Sequence, residues 1–319
     1  TGRPGVAAFT GGYHGLSYGA LRATARAEFR GPFAEALGAP TLRLPFPDPY
    51  RPPIDTAPHR LAEACLEVAR RELRAGARRG SLPGAIVVEP VQGREGVIVP
   101  PEGWLRELAA LSREAGTLLV LDEVLTGFGR TGAWFAVQRE GVVPDVLVLG
   151  KGMAGGMPVA AAVAAGALFS VWERPGEALH TSTFLAHPLA CAAALAALEV
   201  LERERLVERA AAWEATLGTD LRRLAIRRGV GDVRGRGMMW AVELVRHPPA
   251  GRGAVPGGPA TPDPQAAGAL VAACLQRGVL VLAGGSHGNV LQVTPPLVLS
   301  ADEWAFALEA LQDALAECE

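Results

Sequence analysis

The sequence predicts an α/β protein with a mostly parallel sheet, and three observations carry that expectation. Short apolar runs of strand length recur at Ala85-Ile86-Val87-Val88, Thr117-Leu118-Leu119-Val120-Leu121 and Val146-Leu147-Val148-Leu149. Between the first two, Leu105, Leu108 and Leu111 repeat at helical spacing from Pro101 to Ala115, with Glu102 in the first turn. Strand, helix and strand in that order describe a crossover, which makes the flanking strands parallel. At 319 residues, 49% of them hydrophobic, the chain can bury a large core and is expected to form one larger and one smaller domain.

Downstream, the alanine, leucine, glutamate and arginine content from Pro188 to about Arg228 suggests long helices leaving the large domain. A small α/β domain follows, with strands near Met238 to Val245, Val279 to Leu282 and Val290 to Val293 and a last helix from Ala301 to Ala316. Between these strands, His247 to Pro264 is rich in glycine and proline without periodicity and reads as a mobile surface loop, an insertion rather than a lid. The division is a large domain over 1–204, including the interdomain helix, and a small C-terminal domain over 205–319. The apolar stretch from Pro158 to Trp172 is too short to span a bilayer and reads as core. A net charge of −2 gives no electrostatic case for nucleic acid or an anionic membrane as partner. Cys65, Cys191, Cys274 and Cys318 show no Cys-x-x-Cys spacing, which points to reduced thiols in a cytoplasmic protein and to no metal site. No signal peptide is recognisable, although the first residue here need not be the first of the protein.

Lys151 is the only lysine, against thirty arginines, and it follows directly on the strand ending at Leu149. Arginine supplies charge but stays protonated, whereas lysine can lose its proton and condense with a carbonyl, forming a Schiff base. On the count alone, a stray lysine in an arginine-rich composition is as good a reading. Its neighbourhood changes the balance, because the preceding strand ends in Asp122, and the carboxyl ends of parallel strands face one crevice. An amine and a carboxylate in one pocket suit pyridoxal phosphate, which needs a lysine for its aldehyde and an acid for its pyridinium nitrogen.

Around these two residues, Leu121-Asp122-Glu123-Val124, Gly127-Phe128-Gly129-Arg130-Thr131-Gly132 and Gly150-Lys151-Gly152 resemble the class III aminotransferases, which depend on pyridoxal 5'-phosphate. Tyr13-His14-Gly15, Glu89-Pro90-Val91-Gln92-Gly93, Thr181-Ser182-Thr183-Phe184, Pro188-Leu189-Ala190-Cys191 and Val233-Arg234-Gly235-Arg236-Gly237 are similar to further signatures of that family, in family order. The resemblance implies the fold type I of such transferases, with a large cofactor-binding domain and a smaller C-terminal one. It also implies two half-reactions, from an amino donor to a 2-oxo acid acceptor, in a homodimer or higher homo-oligomer.

By the same resemblance Lys151 is the Schiff-base lysine and proton carrier, and Asp122 the pyridinium partner. Val124, two residues on and on the same side of an extended chain, resembles the side chain under the ring. Tyr13 resembles the aromatic on the opposite face, with an ordinary core tyrosine as the other reading. His14 either joins the cofactor site or braces the turn at Gly15, and Glu89 is either near the ring or a structural acceptor. Thr183 resembles the residue that reaches the phosphate of a neighbouring subunit.

Three departures bear on substrate. Family members carry roughly a hundred residues before the Tyr-His-Gly motif, including a phosphate-binding helix start, while this sequence begins shortly before Tyr13. Leu125 stands where the family often has a glutamine, and Gln292 stands where it has an arginine for the substrate α-carboxylate. Arg94 occupies a position where some ω-aminotransferases have the glutamate that pairs with that arginine. The positive charge either has moved to the other wall, with Arg94 taking the carboxylate, or points into solvent at a turn. The expected enzyme is an aminotransferase using an amino acid or ω-amine. A racemase, aminomutase or decarboxylase on the same fold is the alternative, and a non-catalytic remnant kept for assembly is the alternative of another class.

Overall fold

The computed structural model of the chain describes residues 1–38, 41–173, 176, 179–246 and 260–318. Its first sheet contains β1 (Val6–Phe9), β2 (Leu42–Leu44), β3 (Ala85–Val88), β4 (Leu118–Asp122), β5 (Val146–Leu149) and β6 (Ala161–Ala164), in the spatial order β2-β1-β3-β4-β5-β6. Every neighbouring pair is parallel except β5 and β6, which run antiparallel. Helices α1 (Tyr18–Ala23), α2 (Ala27–Arg30), α3 (Leu61–Arg78) and α4 (Trp104–Glu114) fall between the strands, and α5 (Gly166–Phe169) follows β6. On one face, α3 and α4 bury Leu66, Leu73, Trp104 and Leu108 against Phe9, Ile86 and Leu119. Trp104 meets Phe9 and Phe46 edge-on at 5.3 and 5.0 Å, an arrangement that adds to plain apolar burial. Helix α4 starts three residues later than the pattern from Pro101 suggests, because Gly103 stands before it in the left-handed region at φ 84°.

After α6 (Pro188–Arg203) and α7 (Leu206–Arg222), the second sheet is assembled from β7 (Val230–Arg236), β8 (Met239–Arg246), β9 (Thr261–Pro262), β10 (Leu282–Gly284) and β11 (Val290–Val293). Its order is β10-β11-β8-β7, with β9 added to β8, and its pairings are antiparallel. Helices α8 (Pro264–Gln276) and α9 (Ala301–Cys318) supply Leu270, Cys274, Trp304 and Leu311 to its core, which centres on Trp240 and Val242. Strand β7 has no apolar alternation to announce it. Its charged residues are absorbed by neighbours instead, with Arg234 2.8 Å from Asp232 and 2.7 Å from Glu243. Of the loop expected from His247 to Pro264, residues 247–259 lie outside the described residues.

The stretch from Pro158 to Trp172 is not core. It forms the antiparallel edge strand β6 and the short α5, and Val163, Val171 and Trp172 are exposed because no described element packs on that side. The apolar surface continues through Leu185 to Phe184 and Leu189, which are 77% and 68% exposed. No helix among the described residues is long and apolar enough to cross a membrane.

Candidate active site

The parallel order brings three strand ends to one edge of the first sheet: β3 runs into Glu89, β4 stops at Asp122, and β5 runs through Gly150 into Lys151. Asp122 pairs in register with Val148 on the neighbouring strand, so the carboxylate and Lys151 share that edge. Beyond it opens a cavity of about 1040 Å³, lined by Tyr13, Arg94, Val124, Arg130 and Lys151 from the first part of the chain and by Gln292 from β11. Clefts of this kind at strand carboxyl ends are the usual ligand sites of parallel sheets.

Lys151 sits in the left-handed region at φ 44°, a conformation that costs an L-residue energy and recurs at functional positions. Its amine enters no ion pair among the described residues and faces the cavity. Burial by the cavity walls lowers its pKa, Asp122 and Glu89 pull it back up, and Arg94 lowers it again. The net direction is down, toward a neutral, nucleophilic amine.

Beneath the cavity, Asp122 is only 7% exposed and its two oxygens are both engaged. Oδ2 lies 2.8 Å from His14 Nδ1, and Oδ1 accepts from the Val124 N–H at 3.1 Å. Strand β4 ends at Asp122, so Val124 reaches the cavity through this turn and not through strand alternation. His14 Nε2 is buried with no partner, while the backbone N–H of His14 donates to the fully buried Thr24 hydroxyl, which donates to the Gly15 carbonyl. His14 therefore both touches Asp122 and braces its turn. Glu89, 3% exposed, accepts from the N–H groups of Tyr13 and Gly93, joining the two loops that border the cavity. Burial pushes its carboxyl up to about 7, against the opposing pull of His14 and those two N–H groups.

Tyr13 and Arg94 face each other, with the guanidinium carbon 4.5 Å from the ring centre. Phe29 closes the other side, 5.9 Å from the same guanidinium and edge-on to Tyr13 at 6.0 Å. Arg94 thus lies along the cavity wall and makes no ion pair among the described residues. Gln292 is beside it, because its Nε2 donates to the carbonyl of Gly93 at 3.0 Å. Leu125 packs on Gly93 so closely that a Cβ on Gly93 would come within 2.3 Å of the leucine Cδ1, so a larger residue there would push the end of Leu125 aside.

Thr183 is the one expected site residue that stands apart; it is exposed on the segment before α6 and does not line the cavity. Two contributors were not singled out from the sequence. Arg130, inside the glycine-rich Gly127–Gly132 motif, donates to the carbonyls of Met238 and Pro295 at 3.1 and 2.6 Å and so fastens that motif to the second sheet. Phe29, which packs on Tyr13 and Arg94 without lining the cavity itself, has no local signal, since it meets them only through the path of α2. Among the described residues no group of His, Cys, Asp and Glu is arranged to hold a metal ion.

Residues 1–315 match the family described as aminotransferase class-III. The chain is 37% identical over 313 residues to a diaminobutyrate--2-oxoglutarate aminotransferase of Rhizobium meliloti, covering 95% of this chain and 63% of that protein. It is 36% identical to a putrescine aminotransferase of Pectobacterium atrosepticum, covering 97% of this chain and 59% of that one. It therefore spans about three fifths of the length of these curated relatives. In structure it superposes on an amine transaminase from an uncultivated Pseudomonas species, solved in a PLP-bound form, with a TM-score of 0.87, 33% identity, all of this chain and 70% of that one covered. With the fold type I architecture of those transaminases, its strand-end lysine and its buried carboxylate, the chain belongs to the class-III aminotransferases, a family that works with pyridoxal phosphate.

Proposed function

We propose that this chain carries the amino-transferring site of a class-III aminotransferase, moving an amino group from an ω-amino acid or another amine with a remote carboxylate to a 2-oxo acid. The observation behind this reading is the sole lysine, unpaired and lowered in pKa at the cavity, next to a carboxylate already oriented by a histidine. The cavity fits pyridoxal phosphate at its ring end, offering one free amine for the aldehyde and one buried, hydrogen-bonded carboxylate for the ring nitrogen. When bound, the cofactor supplies an electron sink that stabilises negative charge at the substrate Cα.

The chain's own residues divide the remaining work. Lys151 would hold the cofactor through its aldehyde, and its amine would carry a proton from and back to the substrate. Asp122 holds the proton on the ring nitrogen, and His14 keeps Asp122 in place. Val124 and Tyr13, both on the cavity wall, would hold the ring between them, and Glu89 ties the Tyr13 loop to the Gly93 loop. Arg94 takes the substrate carboxylate by charge-assisted hydrogen bonds, with Gln292 holding the backbone beside it.

We assign the large domain to 1–204 and the small domain to 205–319, in keeping with the two sheets having separate cores. The exposed apolar face around Val163, Trp172, Phe184 and Leu189 suits burial against a second copy, which would bring Thr183 to its partner's cofactor. Free thiols at Cys65 and Cys191 agree with a cytoplasmic setting.

The test is incubation of the cofactor-loaded protein with an amino donor, with and without a 2-oxo acid. Multiple turnovers only when both are present support transamination. Racemisation or loss of CO₂ with the donor alone would establish the alternative chemistry on this fold, and no spectral change with any donor would favour a non-catalytic role.

A further inference from the structure

Behind the segment that carries Tyr13 and His14, three arginines gather with no carboxylate paired to them among the described residues. Arg22 lies on α1, Arg30 ends α2 and Arg43 lies in β2. Arg43 is spent on backbone, donating to the carbonyls of Arg22, Ala23 and Thr24. Arg30 gives one Nη2 bond, 3.0 Å long, to the carbonyl of Ala25. The Nε atoms of both Arg22 and Arg30 are buried with no partner, and none of the three arginines enters an ion pair among the described residues. Glu28 and Glu35, the acids nearest to Arg22 and Arg30 along the chain, are exposed. Burial, with Arg30 adding repulsion, lowers the Arg43 guanidinium to about 10.

Arg22 and Arg30 line a second cavity of about 250 Å³, together with Gly31, Leu37, Gly38 and Thr41, and it shares no lining residue with the catalytic one. The Thr41 hydroxyl donates to the Arg22 carbonyl at 2.9 Å and closes one side. Buried donors left unmet cost free energy, and cations crowded without a counter-charge cost more. An anion seated here would accept from the guanidinium groups of Arg22 and Arg30 that line the cavity and screen the repulsion between Arg30 and Arg43. Paired guanidinium forks favour oxyanions that accept several bonds at once.

We propose that this cavity binds a compact dianionic oxyanion, phosphate or a phosphate monoester, through Arg22 and Arg30. The site lies apart from the chemistry but abuts it, since Arg43 clamps the carbonyl of Thr24 and Thr24 accepts from the N–H of His14.

The experiment is calorimetric titration of the cofactor-loaded protein with inorganic phosphate and, in a second arm, with glycerol phosphate, at ionic strength held constant with chloride. Saturable binding is expected, weakened about 10-fold or more by Arg22→Gln and by Arg30→Gln, the scale of one lost charge-assisted bond. Arg30→Lys, which keeps the charge and loses the fork, should fall between and guards against a folding failure. Tighter binding in the second arm identifies an ester, and equal binding the free ion. Binding unchanged in Arg22→Gln and Arg30→Gln would move the anion to the catalytic cavity and overturn the proposal. So would absence of saturable binding, or equal weakening by Arg78→Gln and Arg79→Gln at the exposed end of α3.

Discussion

His14 Nδ1 stands 2.8 Å from Asp122 Oδ2, across 108 positions of sequence, and the pair is closed in beneath the cavity floor. The contact orients the carboxylate proposed as the partner of the cofactor's ring nitrogen. Replacing Asp122 with Asn keeps the shape and removes the charge, so turnover should fall about 10²-fold or more, equivalent to about 3 kcal/mol at the transition state, with cofactor still bound. His14→Ala should cost less, about 10-fold, by leaving Oδ2 without its partner. Steady-state kinetics on both variants check this, and near-normal turnover in Asp122→Asn would remove that residue from the mechanism.

Lys151→Ala should lower turnover by about 10³-fold or more, because no second side-chain amine exists to take over. After borohydride reduction the native protein should carry the cofactor's mass on the peptide containing Lys151. Mass spectrometry of the variant should find no such adduct anywhere in the chain.

Arg94 lies against Tyr13 and makes no ion pair with a carboxylate among the described residues. Arg94→Ala should raise KM for a carboxylate-bearing substrate by about 10- to 100-fold, the worth of a charge-assisted bond of about 1.5 to 3 kcal/mol. An amine lacking that carboxylate should be little affected. Equal losses for both substrates would mean that Arg94 serves only to pack Tyr13 and Phe29. Gln292→Arg should loosen the Gly93 loop, since it replaces the amide that now donates to the Gly93 carbonyl. A gain with 2-oxoglutarate is expected only if the new guanidinium finds the cavity open.

Glu89 gives a pH signature. Its carboxyl, raised from 4.5 to about 7 chiefly by burial, holds its proton in the folded state over a range where the unfolded chain has released it. The stabilisation is full below pH 4.5 and is lost as pH rises through about 7, amounting to at most about 3 kcal/mol. Denaturant unfolding from pH 4.5 to 8 should show stability from this group declining with pH. Glu89→Gln, which cannot ionise, should remove that slope and lower stability at acid pH, because one of the two N–H groups at Tyr13 and Gly93 loses its acceptor.

Much of the architecture was legible along the chain. Buried parallel strands must be short apolar runs, and a crossover helix must show one apolar stripe, so β3, α4, β4 and β5 announced themselves locally. The same rule placed Asp122 and Lys151 at one edge, because parallel strands present their carboxyl ends together. What no local pattern contains is which distant groups meet. The pairing of His14 with Asp122, the bond from Gln292 to Gly93 across 199 positions, and the approach of Phe29 to Arg94 all depend on the path of the chain. Burial is likewise a property of neighbours. The apolar run from Pro158 to Trp172 reads as core by composition, yet it lies on an edge strand with one face open. Strand β7 reads as polar, yet it pairs with β8 at the edge of the second sheet, where Glu243 and Asp232 neutralise Arg234. Periodicity records the face a residue turns inward, and only the tertiary arrangement decides what waits there.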